Sequence, residues 1–329
     1  MINDAPRQFD VIVTAGDRGT SRPVFQKNKV FLTIEDIPVI NYVLSAVERT
    51  RCAARIVVVG DKVRLEDALA VPHNPFQGLC PILLIEQGNT LYDNVWNGFL
   101  HTLPGYTPGA DWRPYQAMAE DKAVLVISGD IPLATPAEID AFVESCDLTR
   151  YDYFLGLTAE PDLRPYYPQD GHLGIRMAYF GLREMQVRQN NLHLVKPFRI
   201  GNRHYIQRIY DARYQKEWRN IVNICWQLAL CGGIASRVLW AFLCLHAART
   251  ITRFGWQSAR PLQPFFLDLS RVASLVSQLL RTRFSTAFTH YGGCTLDVDN
   301  EEHYEAICAN FNRWREHQEA LAENLKQQT

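Results

Sequence analysis

Three short stretches of the chain hold residues whose types and spacing suit chemistry on a phosphate. In "TAGDRGTSRPVFQKNK", Gly16 and Gly19 stand with Arg18, Thr20 and Arg22 where an apolar run ends, and Lys29 closes the stretch. Glycines let a ligand approach the backbone, whose N–H groups can converge on an anion, and guanidinium and ammonium groups add charge-assisted contacts to its oxygens. Glycines also serve ordinary turns after strands, so the loop alone leaves both readings open. "VLVISGDIPLATP" delivers Asp130 at the end of a second apolar run, and far along the chain "GGCTLDVDNEE" supplies Asp297 and Asp299. Such carboxylates either cap turns and helices or act as hard oxygen ligands. Mg2+ needs only one or two of them beside phosphate oxygens and water. If Asp297 and Asp299 end a strand, alternation puts both on one side, and either can face the ligand.

The elements that must position these residues are legible as a pattern. Apolar runs rich in β-branched residues recur at 9–16, 54–60, 81–87, 122–129 and 151–158, with helical segments near 37–50, 90–102 and 135–146 between them. Strands alternating with amphipathic helices predict an α/β fold with a doubly wound, mainly parallel sheet, and continuous apolar strands fit burial on both faces. Ligands of such sheets sit at the carboxyl ends of the strands. That rule places Gly16 to Lys29, Gly60 to Lys62, Gln87 to Asn89 and Gly129 to Asp130 along one rim. Further on, helices are expected over 200–226 and 300–326, the second capped by Asp299 or Asn300.

With these motifs in order, the chain resembles the MobA-like nucleotidyltransferases, whose sheet is Rossmann-like and of the GT-A type. The resemblance rests on "TAGDRGTS", Lys29 with "KVFLTIEDIP", "VISGDIPLATPAEI" and the late "LDVDNEEHY", and its first three motifs span about the first 160 residues. Three departures stand out: an extra residue at Asp17, Asn28 where the family usually has proline before the lysine, and Asp36 where it prefers glycine. The resemblance implies transfer of NMP from an NTP to a phosphorylated acceptor with release of pyrophosphate. Mg2+ would lie on Asp130 and Asp299, and Arg18, Lys29 and Lys216 would act as catalytic cations. Ala15, Gly16, Gly19, Thr20, Gln87, Gly88, Asn89, Thr90 and Asn94 would bind the nucleotide; Arg188, Asn190, Asn191, Lys196 and Arg219 would hold the acceptor. A GT-A glycosyltransferase consuming a nucleotide-sugar and a non-catalytic nucleotide-binding module are the alternatives. "GDRG" does not complete the G-x-G-x-x-G turn of a dehydrogenase.

Composition narrows the partners. With 329 residues, 47% of them hydrophobic, and a net charge of −1, the chain is long enough for a substantial core and has no overall bias toward nucleic acid. Eight cysteines without a C-x-x-C pair read as reduced thiols, and "MINDAPRQFD" lacks the order of a signal peptide, so a cytoplasmic protein is expected. Between 219 and 290, eight arginines face a single acid, Asp268, in a stretch rich in Leu, Ile, Trp and Phe. Its longest uncharged run, 220–236, falls short of the ~20 apolar residues of a membrane span. We therefore read 1–218 with 286–329 as the nucleotidyltransferase domain and 219–285 as a helical, Arg-rich insertion. That insertion would cap the site, meet a second subunit in a homo-oligomer, or adsorb peripherally to anionic lipid, the last pairing it with a lipid-linked acceptor.

Overall fold

Runs such as "VIVTA" and "IVVVG" form strands because β-branched side chains suit a pleated surface, and here they are buried on both sides. The computed structural model describes residues 7–18, 23–169, 171–203, 205–207 and 267–328. In chain order the first elements are β1 (Phe9–Ala15), a hairpin of β2 (Thr33–Ile34) and β3 (Ile37–Pro38), α1 (Val39–Glu48), β4 (Ala53–Gly60), α2 (Lys62–Leu69), β5 (Ile82–Glu86) and α3 (Leu91–Leu100). Next come α4 (Arg113–Met118), β6 (Val124–Ser128), α5 (Pro136–Glu144), β7 (Tyr153–Ala159), α6 (Glu160–Leu163), β8 (Phe180–Gly181) and β9 (Gln186–Val195). The last are α7 (Leu269–Leu280), β10 (Phe284–Phe288) and α8 (Glu301–Gln328).

The sheet runs β10-β7-β9-β6-β1-β4-β5, with β8 paired to β9. β1 lies parallel to both β4 and β6, β4 to β5 and β10 to β7, whereas β9 runs against β6 and β7. The expected mainly parallel, doubly wound α/β sheet is therefore present. Its two faces divide by residue parity: Val11 and Val13 pack with Ile40, Val43, Leu44 and Phe142, while Ile12 packs with Phe99, Leu100 and Phe198. Helices thus cover both faces. A third core lies under α8, where Ile307, Phe311 and Trp314 meet Tyr42, Tyr166 and Val298.

The helix starts are chemically marked. Thr90 and Thr135 accept from the backbone N–H groups of Asp93 and Glu138, opening α3 and α5. Asn300 Oδ1 accepts from His303 N at 2.8 Å, so Asn300 caps α8 and Asp299 is released from that duty. The strand expected to end in Asp297 and Asp299 is absent: a 3-10 turn over Gly293–Thr295 and an irregular stretch follow β10, and the two aspartates lie on that stretch. At the downstream end of the segment read as an insertion, Phe284 and Ser285 belong to β10, and Leu280 of α7 packs in the core beside Phe198. Gly19, Thr20, Arg22, Lys216, Arg219, residues 219–266 and most of the helix expected over 200–226 lie outside the described residues.

Candidate active site

The phosphate loop is gripped by the end of β5. Gln87 Oε1 accepts from Asp17 N at 2.8 Å and its Nε2 donates to Asp17 Oδ1 at 2.9 Å, so the extra residue of the loop is a handle. Asn94 Oδ1 accepts from Gly88 N at 2.7 Å. A Cβ at Gly16 would stand 2.5 Å from Asn94 Nδ2 and 2.9 Å from Gln87 Oε1, so a larger residue there would push aside the two amides that hold the loop. Arg18 reaches back to the carbonyl of Gln87 and to Glu86 Oε1, both at 3.1 Å. Gln87 and Asn94, expected to touch the nucleotide, thus also build the loop; Arg18, Gly16, Asn89, Thr90 and Asn94 line the cavity beside it.

Lys29 is presented by its neighbour. Asn28 donates to Ala15 O at 3.1 Å and accepts from Val30 N at 3.2 Å, capping the 3-10 turn Lys29–Phe31 and tying it to the end of β1. The asparagine does by hydrogen bonds what proline does by a fixed φ. Asp36, at the tip of the β2–β3 hairpin, has φ +65°, the left-handed conformation that favours glycine and that aspartate tolerates. Lys29 Nζ then lies 3.0 Å from Asp130 Oδ2 and 3.3 Å from Asp299 Oδ1. Val298 N donates to Asp130 O at 3.0 Å, locking the late loop to the end of β6. Asp297, also turned inward, accepts from Arg188 Nη2 at 2.7 Å.

Three carboxylates therefore face two cations. Burial opposes the charge on Lys29, but Asp130, Asp299 and Asp297 more than offset it and raise its pKa. Burial likewise opposes ionisation of Asp297, and Arg188 and Lys29 overcome it, holding that carboxyl below its ordinary value. Asp299 is pushed up to about 6, by burial and then by the negative charge of Asp297. One carboxylate remains in excess, and carboxylate oxygens are hard ligands that suit a hard cation. Among the described residues no group of three or more His, Cys, Asp or Glu side chains is arranged to hold a metal ion unaided. The pair Asp130 and Asp299 fits an ion that completes its shell with phosphate oxygens and water, as Mg2+ does.

The residues expected to hold the acceptor are dispersed by β9. Between Gln189 and His193 this strand carries extra residues opposite β7, a bulge at which Asn191 takes φ +59°. Asn191 faces the cavity and donates to Cys294 O at 3.0 Å. Asn190 points to the other face, where it donates to Thr289 at 2.9 Å beneath Gly156, whose missing Cβ makes the room. Lys196 is at the far end of the strand, bonded to Asp121 and Leu148 O, away from the carboxylates. Neither Asn190 nor Lys196 is brought to the site; Arg188 and Asn191 are.

Two groups escaped the sequence. Fully buried Glu138 of α5 accepts from Cys294 N at 2.8 Å and Thr289 Oγ1 at 3.0 Å, fastening the loop that leads to Asp297; burial pushes its carboxyl up against those bonds. On β9, Gln189 and His193 line the cavity with Asn191, and Tyr153 Oη lies 2.9 Å from His193 Nδ1. Alternation about Asn191 is the signal that would have found both; the bulge that keeps them in line left no mark in composition.

A mainly parallel sheet with a glycine loop, a lysine and two carboxylates on its carboxyl rim defines a nucleotide-handling α/β protein. Residues 11–165, just under half of the chain, match the model of the MobA-like NTP transferase domain, which supports a nucleotidyltransferase enzyme. A hypothetical transferase from Thermus thermophilus has a similar fold, at 18% identity and a TM-score of 0.53 over 90% of this chain and 99% of that one. Weaker likenesses are to a CMP:2-keto-3-deoxy-manno-octonic acid synthetase complexed with CTP (11% identity, TM-score 0.45, 93% of this chain and 99% of that one) and to the 4-diphosphocytidyl-2C-methyl-D-erythritol synthase of Anaerococcus prevotii (13%, 0.35, 63% and 77%). No curated protein matches the sequence.

Proposed function

We propose that the protein transfers NMP from an NTP to a phosphorylated acceptor and releases pyrophosphate, with Mg2+ held by Asp130 and Asp299. The observation that carries this reading is the shared contact of Lys29 with both carboxylates, which joins three distant parts of the chain beside the loop. When bound, the metal ion would offset the charge of the α-phosphate. The side chains do the rest by position and charge. The loop offers Arg18 to the β- and γ-phosphates, Lys29 offsets the charge that builds as pyrophosphate departs, and Arg188 keeps Asp297 and Asp299 oriented. An acceptor phosphate oxygen is already a nucleophile, so no side chain has to form a covalent intermediate.

Residues 219–285 are proposed to cap the acceptor side, with Lys216 and Arg219 as further cations. Contact with anionic lipid, a second subunit and a cytoplasmic location belong to the same reading. No described helix is long and apolar enough to cross a membrane. Purified protein with Mg2+, a panel of NTPs and a mixture of phosphorylated acceptors is expected to release pyrophosphate. Asp130→Ala abolishes the release if the assignment is right; release unchanged by that substitution sinks it.

A further inference from the structure

The cavity at the site continues past the phosphate end. It encloses about 490 Å3 and runs from Lys29, Asp130 and Asp299 along one face of the sheet. Its walls pass Val126 of β6 and reach Val195 of β9, which pairs with Val124. From Ser128 to the level of Val124 is four residues, roughly 13 Å of strand. The deep part is lined by Val126, Leu155, Val195, Ile200, Leu280 and Phe284. The polar side chains that β7 and β9 present on this wall are bonded to one another, Tyr153 Oη to His193 Nδ1 at 2.9 Å and His193 Nε2 to Gln189 Nε2 at 3.1 Å. Arg203, which also lines the cavity, lies over the Trp96 ring at 4.3 Å with its Nη1 buried and unbonded among the described residues. A sugar or polyol hydroxyl moved there would give up its bonds to water for an apolar wall, which is costly, whereas hydrocarbon is favoured there.

We infer that the acceptor is an amphiphile, a phosphate monoester on a hydrocarbon chain, with the phosphate at the Lys29 end and the chain along the sheet face toward Phe284. This rests on the transferase reading above. In the step, an oxygen of the acceptor phosphate dianion forms a bond to the α-phosphorus and the α–β bridging P–O bond breaks. Pyrophosphate leaves with the electron pair, and a chain-linked nucleoside diphosphate is the product. No proton transfer is needed at the nucleophile.

The test uses butyl, octyl and dodecyl phosphate, each below its micelle-forming concentration, read in two ways: pyrophosphate release with the NTP panel and Mg2+, and calorimetric binding without nucleotide. KM and Kd are expected to fall about fourfold per added methylene until the cavity is filled. Val195→Trp, which fills the deep end, is expected to end that trend at a shorter chain, with its melting temperature checked against the parent. A flat series in the parent protein overturns the inference, as does an unchanged trend in a folded Val195→Trp protein. Pyrophosphate release with a polar phosphate alongside a flat alkyl series removes the hydrocarbon acceptor and leaves the transferase standing. Chain-dependent binding with no release from any NTP does the reverse.

Discussion

The proposed donor side and the proposed acceptor side of the site are built on different plans. The donor side as proposed stands on the carboxyl ends of the parallel strands β6, β1, β4 and β5, neighbours in that order, where each motif directly follows its strand. The acceptor side stands on β9, which runs the opposite way and carries a bulge, and on the irregular loop after β10. Position follows from sequence spacing on the first side. On the second it follows from tertiary contacts, with Glu138, Asn190 and Asn191 holding the 289–295 loop from two faces.

Substitutions on the two sides should therefore fail in different ways. The largest effect is expected from Asp130→Ala on the donor side, a loss of pyrophosphate release on the order of a hundredfold to a thousandfold with the fold retained; near-normal kcat in a folded protein would break the comparison. On the acceptor side, Glu138→Ala leaves two buried donors without their acceptor. It should cost about 1–3 kcal/mol of stability per donor, seen as a lower denaturation midpoint, and raise KM for the acceptor more than for the NTP. A separate pair of substitutions divides adjacent residues: Asn300→Ala should cost about 1 kcal/mol through loss of the α8 cap, whereas Asp299→Asn should lower activity and leave the midpoint nearly unchanged. The smallest effect concerns pH. Because burial raises the pKa of Glu138, the folded state holds its proton more tightly than the unfolded one, and stability falls as pH rises from the ordinary glutamate value of 4.5 to the raised value. Glu138→Gln should remove that slope from the midpoint-versus-pH curve.

The same contrast explains what was legible. Strands β1, β4, β5, β6 and β7, the helices at 39–48, 91–100 and 136–144 and the rim with Lys29 and Asp130 follow from local pattern and parallel-sheet topology, whereas β9 and β10 were not legible. Asn28 and Asp36, departures from the family pattern, keep the backbone that proline and glycine would give, one by side-chain hydrogen bonds and the other by adopting φ +65°. Adjacent Asn190 and Asn191 invited one role, and a bulge sent them to opposite faces. Asp297 and Asp299 face the site as expected, although the loop that carries them is shaped by contacts to Glu138 and Asp130 and not by strand alternation.

One consequence concerns the order in which the protein is made. Lys29 and Asp130 leave the ribosome early, and β1, β4, β5 and β6 can pair as they emerge, but Asp299 is separated from Lys29 by 270 residues. Domains fold progressively during synthesis, N-terminal parts first. A nascent chain that has completed the segment matching the family domain still lacks a carboxylate of its own site. It gains that group only when the stretch before α8 has been translated and docked by Val298 on Asp130. On the proposed role of Asp299, chains cut short before that stretch are expected to be inert even where residues 11–165 have folded.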